Sequence, residues 1–159
     1  MSCTASPCYA IVDMRQATVD DLSPLLLLME AFNEAEGISW RPAEMGSAAA
    51  RLLADPSLGT ILVAERETKE LVAYAVATFG YDLEFAGRDA FITELFVDQR
   101  SRGNGLGTAL LAATIEFLKT AGALAVHLMV RPENATARRL YGRLGFYEAP
   151  RIMMTKEFD

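Results

Sequence analysis

A glycine run set between an apolar strand and an apolar helix constrains this chain more than any other feature: Arg102-Gly103-Asn104-Gly105-Leu106-Gly107. Upstream, Ile92-Thr93-Glu94-Leu95-Phe96-Val97 mixes β-branched and apolar residues as a half-buried strand does. Downstream, Leu106, Leu110, Ala113, Phe117 and Leu118 share one face of an α-helix. A strand that turns through glycines into a helix start presents unpaired N–H groups and the positive end of the helix dipole. Glycine also lets the backbone approach a ligand without a Cβ in the way. The segment therefore predicts a binding site for a phosphate or pyrophosphate.

Spacing removes two common owners of such a turn. A P-loop needs Lys and then Ser or Thr after its last glycine, and no Lys follows any glycine here. A G-x-G-x-x-G dinucleotide fingerprint begun at Gly103 meets Thr108 at its third glycine position, and begun at Gly105 it meets Leu110. What remains is R-x-x-G-x-G on Arg102, Gly105 and Gly107, with Arg100 beside it. About thirty residues later the chain reads Asn134-Ala135-Thr136-Ala137-Arg138-Arg139-Leu140-Tyr141-Gly142-Arg143-Leu144-Gly145-Phe146. Asn134 is a good N-cap and Gly145 a good terminator, with Ala137, Leu140, Tyr141 and Leu144 as the inward stripe. Asn134, Arg138 and Tyr141 fall on one side over two turns, roughly 10 Å of axis.

Together these motifs resemble the GCN5-related N-acetyltransferases (GNAT). The order strand, glycine turn, helix, strand, helix, strand matches over residues 59 to 158, whereas residues 18 to 58 match by helix order alone. The resemblance implies a mixed α/β fold: a mostly antiparallel central sheet with a splayed parallel strand pair and helices on both faces.

Composition agrees with one domain, residues 9–159, behind a loose tail of residues 1–8. At 159 residues and 52% apolar, the chain has material for a proper core. No apolar run approaches the eighteen or so residues of a membrane span, and the N-terminus lacks the pattern of a secretory signal. Cys3 and Cys8 make a lone C-x₄-C without a second pair, which fits two free thiols in a reducing cytoplasm better than a metal site or a disulfide. A net charge of −6 argues against nucleic acid as partner. An anionic cofactor then needs a local basic site, and Arg100, Arg102, Arg138, Arg139 and Arg143 all lie in the two motif segments.

The remaining elements follow from periodicity and punctuation. Residues 9 to 16 read as a first strand, and Thr18 with Asp21 opens a helix running to about Asn33. Pro42 starts a second helix that ends before Asp55-Pro56. Residues 59 to 65 and 71 to 79 read as a hairpin, 80 to 88 as a polar loop, 124 to 130 and 152 to 157 as later strands.

The resemblance also implies a chemistry. In the family, acetyl-coenzyme A lies in a wedge where two neighbouring parallel strands splay apart. Here these are the strand ending at Val97 and the strand at 124 to 130. Leu95, Phe96 and Val97 should then offer backbone groups to the pantetheine, and the amides of Arg102, Gly103, Asn104, Gly105, Leu106, Gly107 and Thr108 should hold the pyrophosphate. The acetyl group passes directly from sulfur to an amine, with no metal. An alkyl ammonium has a pKa near about 10 and must lose a proton first. Glu94 is the candidate base, directly or through water; a solvent-side or ion-paired strand residue is the other reading. Thr93 and Glu94 point to opposite faces, and the sequence does not say which looks at the substrate. Tyr141 stands where the family carries the general acid toward the coenzyme A sulfur. Asn134 caps its helix, binds pantetheine, or does both, and Arg143 falls near the cofactor's nucleotide end or is a solvated helix-end arginine. His127 reads as a structural histidine on its strand.

For the acceptor, Glu30, Glu34 and Trp40 near the end of the first helix and Asp82 and Glu84 before the Glu94 strand border the cleft in the family. Acids with an aromatic suit a small cationic amine, or else form a solvated acidic surface. Acetylation of a protein N-terminus or lysine, and non-catalytic sensing of acyl-coenzyme A, stand as alternatives. The family often forms homodimers, but no residue here fixes the oligomeric state.

Overall fold

In the computed structural model residues 13–158 are described. The expected tail, with Cys3 and Cys8, and the first part of the first strand lie outside them. The elements run β1 (Asp13–Gln16), a 3-10 turn (Val19–Asp21), α1 (Leu22–Glu36), α2 (Pro42–Ala54), β2 (Gly59–Glu65), β3 (Leu71–Asp82) and β4 (Gly87–Val97). A second 3-10 turn (Gln99–Ser101), α3 (Leu106–Thr120), β5 (Ala125–Leu128) and α4 (Ala135–Arg143) follow. The chain groups into two compact units, one ending at Met129 and one beginning at Val130.

The first unit is a five-stranded sheet in the order β1-β2-β3-β4-β5, antiparallel throughout except for the parallel pair β4–β5. Every position of β2 and the first seven of β3 are buried, because both faces of the sheet are covered. That is why Ile61-Leu62-Val63-Ala64 and Leu71-Val72-Ala73-Tyr74-Ala75-Val76 read as unbroken apolar runs rather than alternating ones. On one face Ile61, Val63, Tyr74, Val76 and Phe96 pack against Leu25, Leu28 and Met29 of α1 and Ala49 of α2. On the other, Leu62, Ala64, Ala73 and Ala75 pack against Leu110 of α3, with Leu106, Ala113 and Phe117 around it.

Two irregularities shape the site. Val76 pairs with Glu94 but Ala77 pairs with Ile92, so Thr93 is an extra residue in β4. Such a bulge inverts the in–out alternation of the strand. Glu94 and Phe96 therefore lie on the α1/α2 face with their partners Val76 and Tyr74, while Leu95 and Val97 face α3. Second, β4 and β5 pair only from Asp89↔Ala125 to Ile92↔Leu128. Beyond that, β4 continues to Val97 with no described residue paired to it on the β5 side.

Two boundaries differ from the sequence reading. The expected polar loop over 80 to 88 is mostly ladder, with Gly80↔Asp89, Tyr81↔Arg88 and Asp82↔Gly87 paired, leaving only residues 83–86 as the turn. Gly80 works in this strand because a Cβ there would lie 2.6 Å from Asp89 Oδ1; the missing side chain is what seats the carboxylate. α1 also runs one turn beyond Asn33, to Glu36, and stops at Gly37 in the left-handed conformation.

On the sheet edge, Arg15 donates to both oxygens of Asp21, each at 2.8 Å, and to Glu65 Oε2 at 2.7 Å. Lys69 adds a contact of 2.8 Å to Glu65, which is 2% exposed. The Arg15 hydrogen bonds lower both carboxyls, from 3.8 to about 2 for Asp21 and from 4.5 to about 2 for Glu65. A lowered carboxyl stabilises the fold in full above its ordinary pKa and loses that contribution as pH falls through the lowered one. Arg15→Met should therefore reduce Tm near neutrality and flatten the fall in Tm between about pH 5 and pH 2. Thermal melts across that range check this; an acid limb unchanged by the substitution would mean that other groups set it.

The second unit carries α4. Asn134 Oδ1 accepts from Ala137 N at 3.1 Å, capping the helix. Gly145, with φ of 89°, ends it while Phe146 N donates to Tyr141 O at 3.1 Å. Ala137, Leu140, Tyr141 and Leu144 are its half-buried positions, as their spacing predicts. The strand expected over 152 to 157 is absent: Ile152, Met153 and Met154 are exposed and unladdered. A strand needs a partner, and Ile152-Met153-Met154 carries no alternation to specify one.

Candidate active site

The glycine turn links the free end of β4 to α3 in two steps. Asp98 accepts from Arg100 N at 3.2 Å and Arg100 Nε at 3.1 Å, holding the 3-10 turn that follows β4. Gly103 and Gly105 then take φ values of 89° and 76°, conformations that side chains rarely adopt. Gly105 is the N-cap of α3 and brings no side chain to cap it. The first bond of the helix is Ala109 N to Gly105 O at 3.0 Å. The amides of Leu106, Gly107 and Thr108 thus precede the intrahelical ladder, open to an external acceptor. A Cβ on Gly107 would meet Val97 Cγ2 at 3.4 Å, so this glycine lets α3 sit close against the end of β4. Arg102, Gly103, Asn104 and Gly105 are exposed. Arg102 Nε donates to Val97 O at 2.9 Å and its guanidinium lies 5.5 Å from the Phe96 ring centroid. The basic group, the strand end and the helix start are therefore one continuous surface.

Glu94 sits beside this opening on the α1/α2 face, half-buried. Tyr74 donates to its Oε2 at 2.6 Å. Burial pushes the Glu94 carboxyl up and the Tyr74 hydrogen bond partly opposes that. Of the two residues the sequence left open, Glu94 is on the α1/α2 face, and Thr93 is exposed with its hydroxyl 3.4 Å from Val76 O. Tyr74 had no sequence signal, since it sits in an unbroken apolar run where face assignment has no periodicity to follow.

Of the acceptor candidates, Glu30 and Glu34 are exposed on α1, while Trp40 is half-buried against the α1/α2 core. Asp82 Oδ1 accepts from Glu84 N at 2.8 Å, so this carboxylate also closes the β3–β4 turn. By register, His127 shares the face of Phe91. Its Nε2 is 3.6 Å from Asp89 Oδ2 and its ring centroid 5.2 Å from that of Phe85. Among the described residues no three His, Cys, Asp or Glu side chains gather as a metal site requires. No described helix is long and apolar enough to cross a membrane.

Asn134, Tyr141 and Arg143 all lie on or at the cap of α4, in the second unit. The Tyr141 ring meets Phe146 edge-on, with centroids 5.9 Å apart. Arg138 pairs with Glu148 and donates to Pro132 O at 3.1 Å, so this arginine of the second motif ties together the segments flanking α4.

This combination of a short parallel strand pair, a glycine turn and this sheet order defines a class. The sequence profile of the Acetyltransferase (GNAT) family matches residues 25–146, and the chain belongs to that family. An uncharacterized N-acetyltransferase of Methanocaldococcus jannaschii is 49% identical over 59 residues, 37% of this chain and 26% of that protein. The chain therefore matches about a quarter of that relative's length. An integron cassette protein from the Cole Harbour Salt Marsh metagenome superposes with a TM-score of 0.81 at 29% identity, over 92% of this chain and 90% of its own. The crystal structure of a predicted acetyltransferase of Clostridium acetobutylicum with acetyl-CoA shares the fold at a TM-score of 0.77 and 22% identity, over 92% and 96% of the two chains.

Proposed function

We propose that this protein is an N-acetyltransferase that moves the acetyl group of acetyl-coenzyme A to a primary amine, a small cationic one, by direct transfer in a ternary complex. The observation that carries the reading is the free edge of β4 running straight into an uncapped helix start through Gly103 and Gly105. Pantetheine amides pair with the backbone of Leu95, Phe96 and Val97 along the edge that faces away from β3, where no described strand completes the ladder. The pyrophosphate takes the amides of residues 102 to 108, with Arg102 as counter-charge. Asn134 and Arg143 serve the pantetheine and the nucleotide end.

The amine nitrogen attacks the thioester carbonyl carbon, and the C–S bond breaks as the tetrahedral intermediate collapses. The proton shed by the amine passes to Glu94, directly or through one water, and the leaving thiolate is protonated by Tyr141. A carboxyl raised by burial, as Glu94 is, is better matched to taking a proton near neutral pH than a solvated one. Glu30, Glu34, Asp82 and Glu84 give the acceptor side a negative field suited to an ammonium, with Trp40 at its margin.

Thiol release from acetyl-coenzyme A, across polyamines, aminoglycosides, amino acids and short peptides, tests this. Turnover with one class of small cationic amine is expected. Turnover with peptides alone would move the acceptor to a protein N-terminus or lysine. Cofactor binding with no turnover on any amine would contradict the enzyme and leave an acyl-coenzyme A sensor.

A further inference from the structure

Tyr74 stands out among the residues that the proposed chemistry does not use. It is wholly buried on β3, yet carries a hydroxyl that any buried site must satisfy. Its ring is clamped by Phe32 of α1, at a centroid distance of 6.4 Å, and by Phe96 of β4, at 6.1 Å. From there the hydroxyl reaches Glu94 Oε2 at 2.6 Å. The reach depends on the bulge at Thr93, which turns Glu94 onto the face that Tyr74 occupies. We infer that Tyr74 is the positioning residue of Glu94: it occupies Oε2, fixes the carboxylate plane and leaves Oε1 as the oxygen available to the amine. The inference rests on the reading of Glu94 as the base.

The phenol is the donor in this pair, because burial and the neighbouring carboxylate both hold it protonated. Two influences then oppose each other at Glu94. Burial favours the neutral acid and the Tyr74 hydrogen bond favours the carboxylate, so the pair keeps the base ionisable inside a half-dry site. Few other charges face Glu94. The surrounding cluster supplied by α1 and α2 is apolar, from Leu25 and Leu28 to Phe32 and Trp40. Arg102 stacks beside Phe96 at the end of β4, and His127 of β5 shares the sheet face but lies against Asp89. Tyr74 is the hydrogen-bonding partner through which the fold sets this carboxylate.

Carbon-13 carboxyl NMR of glutamate-labelled protein reads the effect without any acceptor, with the Glu94 signal assigned by its loss in Glu94→Gln. Tyr74→Phe keeps the ring and its packing, and thermal melts would check that it folds. The Glu94 midpoint should rise by roughly one unit in Tyr74→Phe, since a hydrogen bond to a charged group has been removed. With the amine found by the thiol-release panel, the acid limb of kcat/KM should move to higher pH by the same amount, with KM for acetyl-coenzyme A unchanged. In a Glu94→Gln background the same substitution should change turnover by less than about twofold, because the two residues act as one unit. A Glu94 midpoint or acid limb unmoved by Tyr74→Phe would overturn the inference, as would an equal loss in both backgrounds. Full turnover of Glu94→Gln would remove the base itself, and the positioning role with it, whatever the NMR midpoint shows.

Discussion

Gly105→Glu is expected to abolish measurable binding of acetyl-coenzyme A, with a loss of affinity on the order of 100-fold or more. Two effects add. Gly105 has φ of 76° at the N-cap of α3, and a side chain there pays about 1–2 kcal/mol for the left-handed conformation. A carboxylate at that position also stands in front of the amides of Leu106, Gly107 and Thr108, where the pyrophosphate charge must sit. Each 1.4 kcal/mol is tenfold in affinity, so strain transmitted to the turn plus like-charge repulsion readily exceeds 100-fold. The fold should survive, since nothing lies within 4 Å of a Cβ built on Gly105. Gly105→Ala separates the two effects: it carries the strain without the charge and should weaken binding far less. Titration calorimetry on both variants reads the difference. Normal affinity in Gly105→Glu would mean that the pyrophosphate binds elsewhere.

The second large effect is kinetic. Tyr141→Phe should reduce kcat by at least about tenfold, within the range usual for loss of a general acid, while leaving acetyl-coenzyme A affinity unchanged. The substitution is close to isosteric, and the edge-on contact with Phe146 does not need the hydroxyl. A fall in kcat with intact cofactor binding assigns the hydroxyl to the thiolate-protonating step. Unchanged kcat would show that the thiolate leaves without help from this residue.

The parts of the site legible in the sequence are those whose signals are local. The R-x-x-G-x-G turn, the apolar face of α3, the cap at Asn134 and the stop at Gly145 each declare themselves within a few residues. The bulge at Thr93 does not, because a register shift between β3 and β4 depends on pairing across a hairpin. Hence the sequence left Thr93 and Glu94 as alternatives, and Tyr74 passed as ordinary core. The same non-local pairing explains why residues 80–82 and 87–88 joined the ladder despite their polar, glycine-containing sequence, and why Gly80 opposite Asp89 marks a close approach rather than a turn. In the other direction, an apolar segment at 152–154 suggested a strand that no partner among the described residues completes. Glu65 was silent too: an acidic residue at the end of an apolar strand reads as exposed, yet Arg15 of β1 and Lys69 of the β2–β3 turn hold it buried.

The most direct test of the account is titration calorimetry of acetyl-coenzyme A into the unmodified protein, with Arg102→Ala run alongside. One cofactor bound per chain, with affinity reduced by Arg102→Ala and falling as salt rises, is the expected result for a pyrophosphate held at the glycine turn. No heat of binding at any cofactor concentration would contradict the assignment of the β4 wedge and the turn, and the proposed transfer chemistry would fall with it.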